Sequence, residues 1–115
     1  MKIKDFNDCV KKTLEKTLSL LTVKGIEYAE DAEFDRLAHF KKAAVLTNGT
    51  PIAAAWGMLA KHLVSISDMI KEPDFKQYSL KRWDEKILDA INYLLLIRAL
   101  VQEAYDNEQN RDQSA

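Results

Sequence analysis

The sequence predicts an all-α fold, a compact four-helix bundle. Three observations carry that expectation. Only three glycines and two prolines occur in 115 residues, so few positions force a helix to stop. Apolar residues recur at steps of three and four over long segments. Helix stop and start signals also fall between those segments, at Lys24-Gly25, at Asn48-Gly49-Thr50-Pro51 and around Pro73.

The first helix is expected over residues 5–23, with Phe6, Val10, Leu14, Leu18 and Leu21 facing inward and Lys11, Lys12, Glu15 and Lys16 facing solvent. Gly25 is expected to end it by adopting the left-handed conformation. Residues 26–33 read as an ordered, acidic connector containing Tyr28. A second helix is expected from Asp31 or Glu33 to Leu46, with Phe34, Leu37, Ala38 and Ala44 inward and Asn48-Gly49 as its stop. Thr50 can cap the third helix, and Pro51 at its first position loses no internal bond. That helix should reach Lys71, and its first half, IAAAWGMLA, is apolar on every side, which predicts burial all round and a core position for Trp56. Residues 72–78 read as a connector, and Ser79 caps a fourth helix expected to end near Asp106. The organisation is therefore one helical domain over residues 1–106 and a polar tail, 107–115, expected to fray. The third and fourth helices form its centre. Residues 87–101 are too apolar all round for the outside of a small monomer, so a homo-oligomer joined through the third and fourth helices is expected.

Composition excludes several classes of function. Seventeen basic against eighteen acidic residues provide no field for nucleic acid phosphate or an anionic membrane. The start MKIKDFNDCVKK lacks the apolar core of a signal peptide, and the most apolar stretch is broken by Asp89, Asn92 and Arg98, so no membrane span is expected. Cys9, the single cysteine, points to a reducing, cytoplasmic compartment. At this size folding removes roughly 65% of the unfolded chain's surface from water, enough for one core but not for a large enclosed active site as well. No GxGxxG, phosphate loop, CxxC or HExxH is present, so any chemistry must be assembled from several helices.

The informative residues are the polar ones set into apolar helices, because burying them without partners is costly. On the fourth helix, Glu85, Asp89 and Asn92 share one face. Two carboxylates one turn apart suit half a Mg²⁺ site, and a solvated stripe or a buried hydrogen-bond network is the plainer reading. On the third helix, Gly57, Lys61, Ser65 and Asp68 form a similar line. Lys61 offers charge to a phosphate and Asp68 a further metal ligand; alternatively Gly57 admits a close helix and the charges are surface groups. His62 reads as a packed or interface histidine, with a ligand contact as the functional alternative. On the second helix, Asp35 with His39 and Arg36 with Phe40 are one turn apart. They are surface pairs or a charged and aromatic wall for a nucleotide, with Arg36 gripping phosphate and Tyr28 or Trp56 stacking on a base.

The segments KGIEYA (24–29), DRLAHFKKAA (35–44), TPIAAAWGMLAKHLVSISDMI (50–70) and DEKILDAINYLLLIRALV (84–101) together resemble a group of small phage and prophage proteins. That group is in turn similar to the all-α nucleotide pyrophosphatase superfamily, of the MazG and dimeric dUTPase kind. The resemblance spans about residues 20–104 and rests on a dispersed pattern. It implies an oligomeric helical bundle, in the host cytoplasm if phage-encoded, that binds a nucleoside phosphate and holds Mg²⁺ on acidic residues of two helices. Glu85 and Asp89 match the last acidic motif with a spacing of four where the superfamily has three, and Asp84 is an alternative first member. On the other helix, Lys61, His62 and Asp68 stand where the superfamily carries glutamates.

The functional expectation is therefore a nucleotide-binding protein. Its metal ligands would be Asp68, Glu85 and Asp89; its phosphate contacts Lys61, Arg36 and Lys24; its other ligand contacts Tyr28, His39, Trp56, His62 and Asn92. Mg²⁺-dependent pyrophosphohydrolysis, sequestration of a nucleotide or nucleotide-derived signal without cleavage, and an oligomeric interaction module without small ligand are the three readings.

Overall fold

A computed structural model describes residues 1–28 and 35–114, without side-chain detail for 24–28 and 113–114. Its helices are α1 (Ile3–Tyr28), α2 (Ala38–Thr47), α3 (Pro51–Lys71) and α4 (Leu80–Ser114), with a single 3₁₀ turn, Phe75–Gln77, before α4. Among the described residues there is no strand, so the all-helical, four-helix architecture stands as expected.

Local chemistry explains most of the boundaries. Thr50 Oγ1 accepts a hydrogen bond from the Ala53 N–H at 3.1 Å, and Ser79 Oγ accepts one from the Arg82 N–H at 3.1 Å, so each occupies free donors at a helix start. Asn48, at φ 54° and ψ 42°, takes the left-handed position that ends α2, while the Gly49 N–H donates to the Ala44 carbonyl at 2.9 Å. Asp35 shapes the entry to α2: its carboxylate accepts from the Leu37 N–H at 3.0 Å and from Lys41 Nζ at 2.7 Å. Lys41 also reaches Glu103 at 2.6 Å, tying α2 to α4.

The helices α3 and α4 run antiparallel. His62 lies beside Asp89 and Tyr93, Ser65 beside Lys86, and Ala55 shares a cluster with Leu100. Leu37 and Phe40 of the α2 region complete that cluster, and Met58, Tyr93, Leu96 and Ile97 pack around it. The core thus sits between α2, α3 and α4. The first helix runs parallel to α4, since Lys16 meets Asp84 at 3.3 Å and Leu21 lies at the level of Asn92 and Leu96.

Several expectations need correction. The first helix continues through Gly25 to Tyr28, because glycine permits a helix stop without imposing one. Its expected inward residues Phe6, Val10, Leu14 and Leu18 are exposed, and Thr17 is the buried residue instead. Periodicity identifies an apolar face but not whether a neighbour reaches it. The second helix, expected from Asp31 or Glu33, begins only at Ala38: Asp35 is not helical and Arg36 and Leu37 form a turn, because the Asp35 carboxylate takes the Leu37 N–H; residues 31–34, with the expected inward Phe34, lie outside the described residues. Trp56 is 57% exposed and Ile52 also faces outward, so the first half of α3 is buried on one side only. The fourth helix passes Asp106 and extends to Ser114. No glycine or proline interrupts it, and a side-chain ladder from Arg98 to Gln102 to Asp106 runs along its surface.

Candidate functional site

A cavity of about 270 Å³ opens where all four helices meet. Leu21 of α1, Phe40 of α2, Met58 of α3 and Leu96 of α4 supply apolar walls, and Tyr93 adds a second aromatic ring. Its polar groups come from Arg36, His39, Asp89 and Asn92. An apolar cleft with a few convergent polar groups has the composition of a small-molecule site. Its volume lies just below the usual range of about 300–1,000 Å³, which suits one ring system held inside and the rest of a ligand in the mouth.

Asn92 is the most telling member. It is only 5% exposed, and neither its amide nitrogen nor its amide oxygen has a hydrogen-bond partner. Leaving a buried polar group unpaired costs about 1–3 kcal/mol, and native chains rarely keep such groups without a use for them. One turn earlier, Asp89 is half-buried and lies 3.7 Å from His62 Nδ1, a contact that becomes ionic when the imidazole is protonated. His62 in turn stacks on Tyr93, with ring centroids 5.1 Å apart and planes 29° from parallel. The imidazole therefore braces Asp89 and Tyr93 from α3 without lining the cavity itself.

Arg36 sits in the turn just before α2, and the Asp35 bonds that fix this turn hold it at the cavity. The Lys41 side chain, followed by the Leu37 N–H, holds the Asp35 carboxyl below its ordinary value, while the bonds to Asp35 and then Glu103 hold the Lys41 ammonium above its own.

Of the residues expected to bind ligand, the fold brings Arg36, His39, Asp89 and Asn92 together and places His62 directly behind them. Lys61 and Asp68 are exposed on α3, and Trp56 is exposed; none lines the cavity. Glu85 is exposed and lies 3.8 Å from Arg82. Lys24 and Tyr28 lie outside the residues whose side chains are described. Gly57 faces open space, with nothing within 4 Å of an added Cβ, so no other helix of the described chain packs against it. Sequence reasoning missed Tyr93, Met58 and Leu96 as cavity residues. The available signal was the position of Tyr93 beside Asn92 and one turn after Asp89.

Among the described residues, no group of three histidine, cysteine, aspartate or glutamate side chains is close enough to hold a metal ion. Asp89 is the one carboxylate in the cavity lining among those residues. Comparison of the chain with models of protein families, with curated proteins and with solved structures finds no match.

Proposed function

We propose that the four-helix cavity binds a nucleotide or a nucleotide-derived small molecule and holds it without cleaving it. The observation that carries this reading is the cavity lining, where the rings of Phe40 and Tyr93 meet Arg36, His39, Asp89 and Asn92, the last with an unpaired amide buried beneath the wall. A nucleobase presents an adjacent donor and acceptor on one edge, which is what a carboxamide can satisfy in full. Phe40 and Tyr93 offer ring faces for the base, and the guanidinium of Arg36 suits a phosphate. Asp89, braced by His62, suits a hydroxyl or amino donor of the ligand.

Sequestration is preferred over pyrophosphohydrolysis because the described lining supplies one carboxylate, where metal-assisted attack on a phosphate chain needs several oxygen ligands. The resemblance to phage and prophage proteins supports the same reading, with a cytoplasmic setting and an oligomer joined through α3 and α4. Hydrolysis is the second reading, supported by that superfamily's usual activity.

The test is to incubate the protein with Mg²⁺ and a panel of nucleotides, cyclic nucleotides and ADP-ribose derivatives, then separate free and heat-released small molecules by chromatography. Intact ligand released only on denaturation supports sequestration. New products establish hydrolysis, and a panel without binding leaves the interaction module.

A further inference from the structure

Ile3, Phe6, Val10, Thr13, Thr17 and Leu20 of α1 lie at alternating steps of three and four. That repeat is the seam one helix presents to another lying along it. Inside the bundle the seam is occupied. Thr17 is buried and Thr13 and Leu20 are half-buried, while the residues between them are exposed. The covering helix is α4, whose Asp84 meets Lys16 at 3.3 Å. Both threonines bond their hydroxyls to their own helix, Thr13 to the Cys9 carbonyl and Thr17 to the Thr13 carbonyl, so neither needs a polar partner on α4.

Beyond the start of α4 the same seam runs on uncovered. Asp84 is only one turn into α4, so α4 first reaches α1 near Thr13, and residues 1–12 are exposed throughout. Ile3 is 80%, Phe6 57% and Val10 39% exposed. The described chain thus covers one half of a continuous seam and leaves the other open.

We propose that the open half binds an amphipathic helix of another protein, one with an apolar stripe and acidic flanks. It would lie where α4 would lie if α4 began about three turns earlier. Continuity fixes the shape of the occupant, because the spacing that seats a helix on Thr13, Thr17 and Leu20 is unchanged through Val10, Phe6 and Ile3. Charge fixes its flanks. Lys2 and Lys16 border the seam on the same edge, two heptads apart, whereas Asp8 and Glu15 lie on the opposite face. Lys16 already answers a carboxylate on the helix that covers it, and Lys2 repeats that position where the cover is missing. Lys4, Lys11 and Lys12 make residues 1–12 basic, with four lysines against two aspartates. Two such arms laid on each other would set lysine against lysine, which disfavours a second copy of the arm. A lipid surface is disfavoured by shape: the open seam continues the side on which α4 packs, so a flat surface laid on it runs into the start of the bundle. This surface is independent of what the cavity holds.

The probe is a labelled synthetic helix of about 18 residues with leucine at the seam positions and glutamate on both flanks, compared with the same peptide carrying lysine flanks. Fluorescence anisotropy with the whole protein is expected to show saturable binding of the acidic peptide and about tenfold weaker binding, or less, of the basic one. Phe6→Glu should weaken the acidic peptide by about tenfold or more with circular dichroism and melting temperature retained, because Phe6 lies outside the bundle. Leu46→Glu, exposed on α2, should change nothing, and Lys2→Glu should narrow the preference between the two peptides. No binding of the acidic peptide, equal binding of both peptides, or binding that survives Phe6→Glu overturns the proposal. Binding to phosphatidylglycerol vesicles, or a dimer on light scattering, that is abolished by Phe6→Glu also overturns it, since either puts a different occupant on the seam.

Discussion

Asn92 sets two demands against each other. Its buried, unpaired amide makes the empty protein less stable, and on the proposed reading the same side chain, part of the cavity wall, contacts the ligand. Asn92→Leu, similar in size and free of polar atoms, should therefore stabilise the empty protein by about 1–3 kcal/mol while removing ligand-dependent stabilisation. Thermal melts with and without nucleotide check both halves, and a destabilised variant would mean that the amide has a partner in the empty protein. Gly57 presents a simpler case. A methyl group added there meets nothing, so Gly57→Ala should raise stability by about 0.5–1 kcal/mol. A loss of stability on denaturant unfolding would show that another surface approaches this position.

The position of α2 depends on a three-residue charge network in which Lys41 bridges Asp35 and Glu103. All three side chains are more than a third exposed, so solvent screening limits the network to about 1 kcal/mol or less. The pH dependence has a definite sign. Asp35 titrates below its ordinary value in the folded protein, so its contribution is complete above about pH 4 and is lost as pH falls through the folded value. Lys41 titrates above its ordinary value, so its contribution is complete below about pH 10 and is lost as pH rises through the folded value. Melting temperature should accordingly drop by a few degrees more for the wild type than for Lys41→Met on acidification from pH 5 to pH 2. Equal slopes for the two proteins would remove the network as a determinant of α2. The same substitution should weaken ligand binding, because the Asp35 turn that Lys41 steadies is the one that presents Arg36.

At the scale of the whole molecule, a cavity shared by four helices couples ligand binding to global stability. A ligand at one hundred times its Kd should stabilise the protein by about 2.7 kcal/mol, since only the folded bundle assembles the site. With a single carboxylate in the described lining, removing divalent cations with a chelator should leave that gain nearly intact. A ligand effect that vanishes on chelation would return Mg²⁺ to the site.

The number and order of the helices were legible in the sequence, as were the starts of α3 and α4, because Thr50-Pro51 and Ser79 act on their own backbone within one turn. Part of the site was legible for a similar reason: Asp89 and Asn92 interrupt an apolar run, and Arg36 and His39 share a face with spacing close to one turn. What the sequence left open depends on contacts across helices. Lys61, Asp68 and Trp56 have the residue types of a ligand site, yet the crossing of α3 with α4 turns them to solvent and brings His62 to Asp89. Phe6 and Val10 have the spacing of core residues, yet α4 begins too late along α1 to cover them. By itself the sequence determined the helices and their apolar faces, because hydrogen bonding and periodicity are local. Only the tertiary structure decided which faces meet, since the offset and crossing of two helices depend on how all four fill one core.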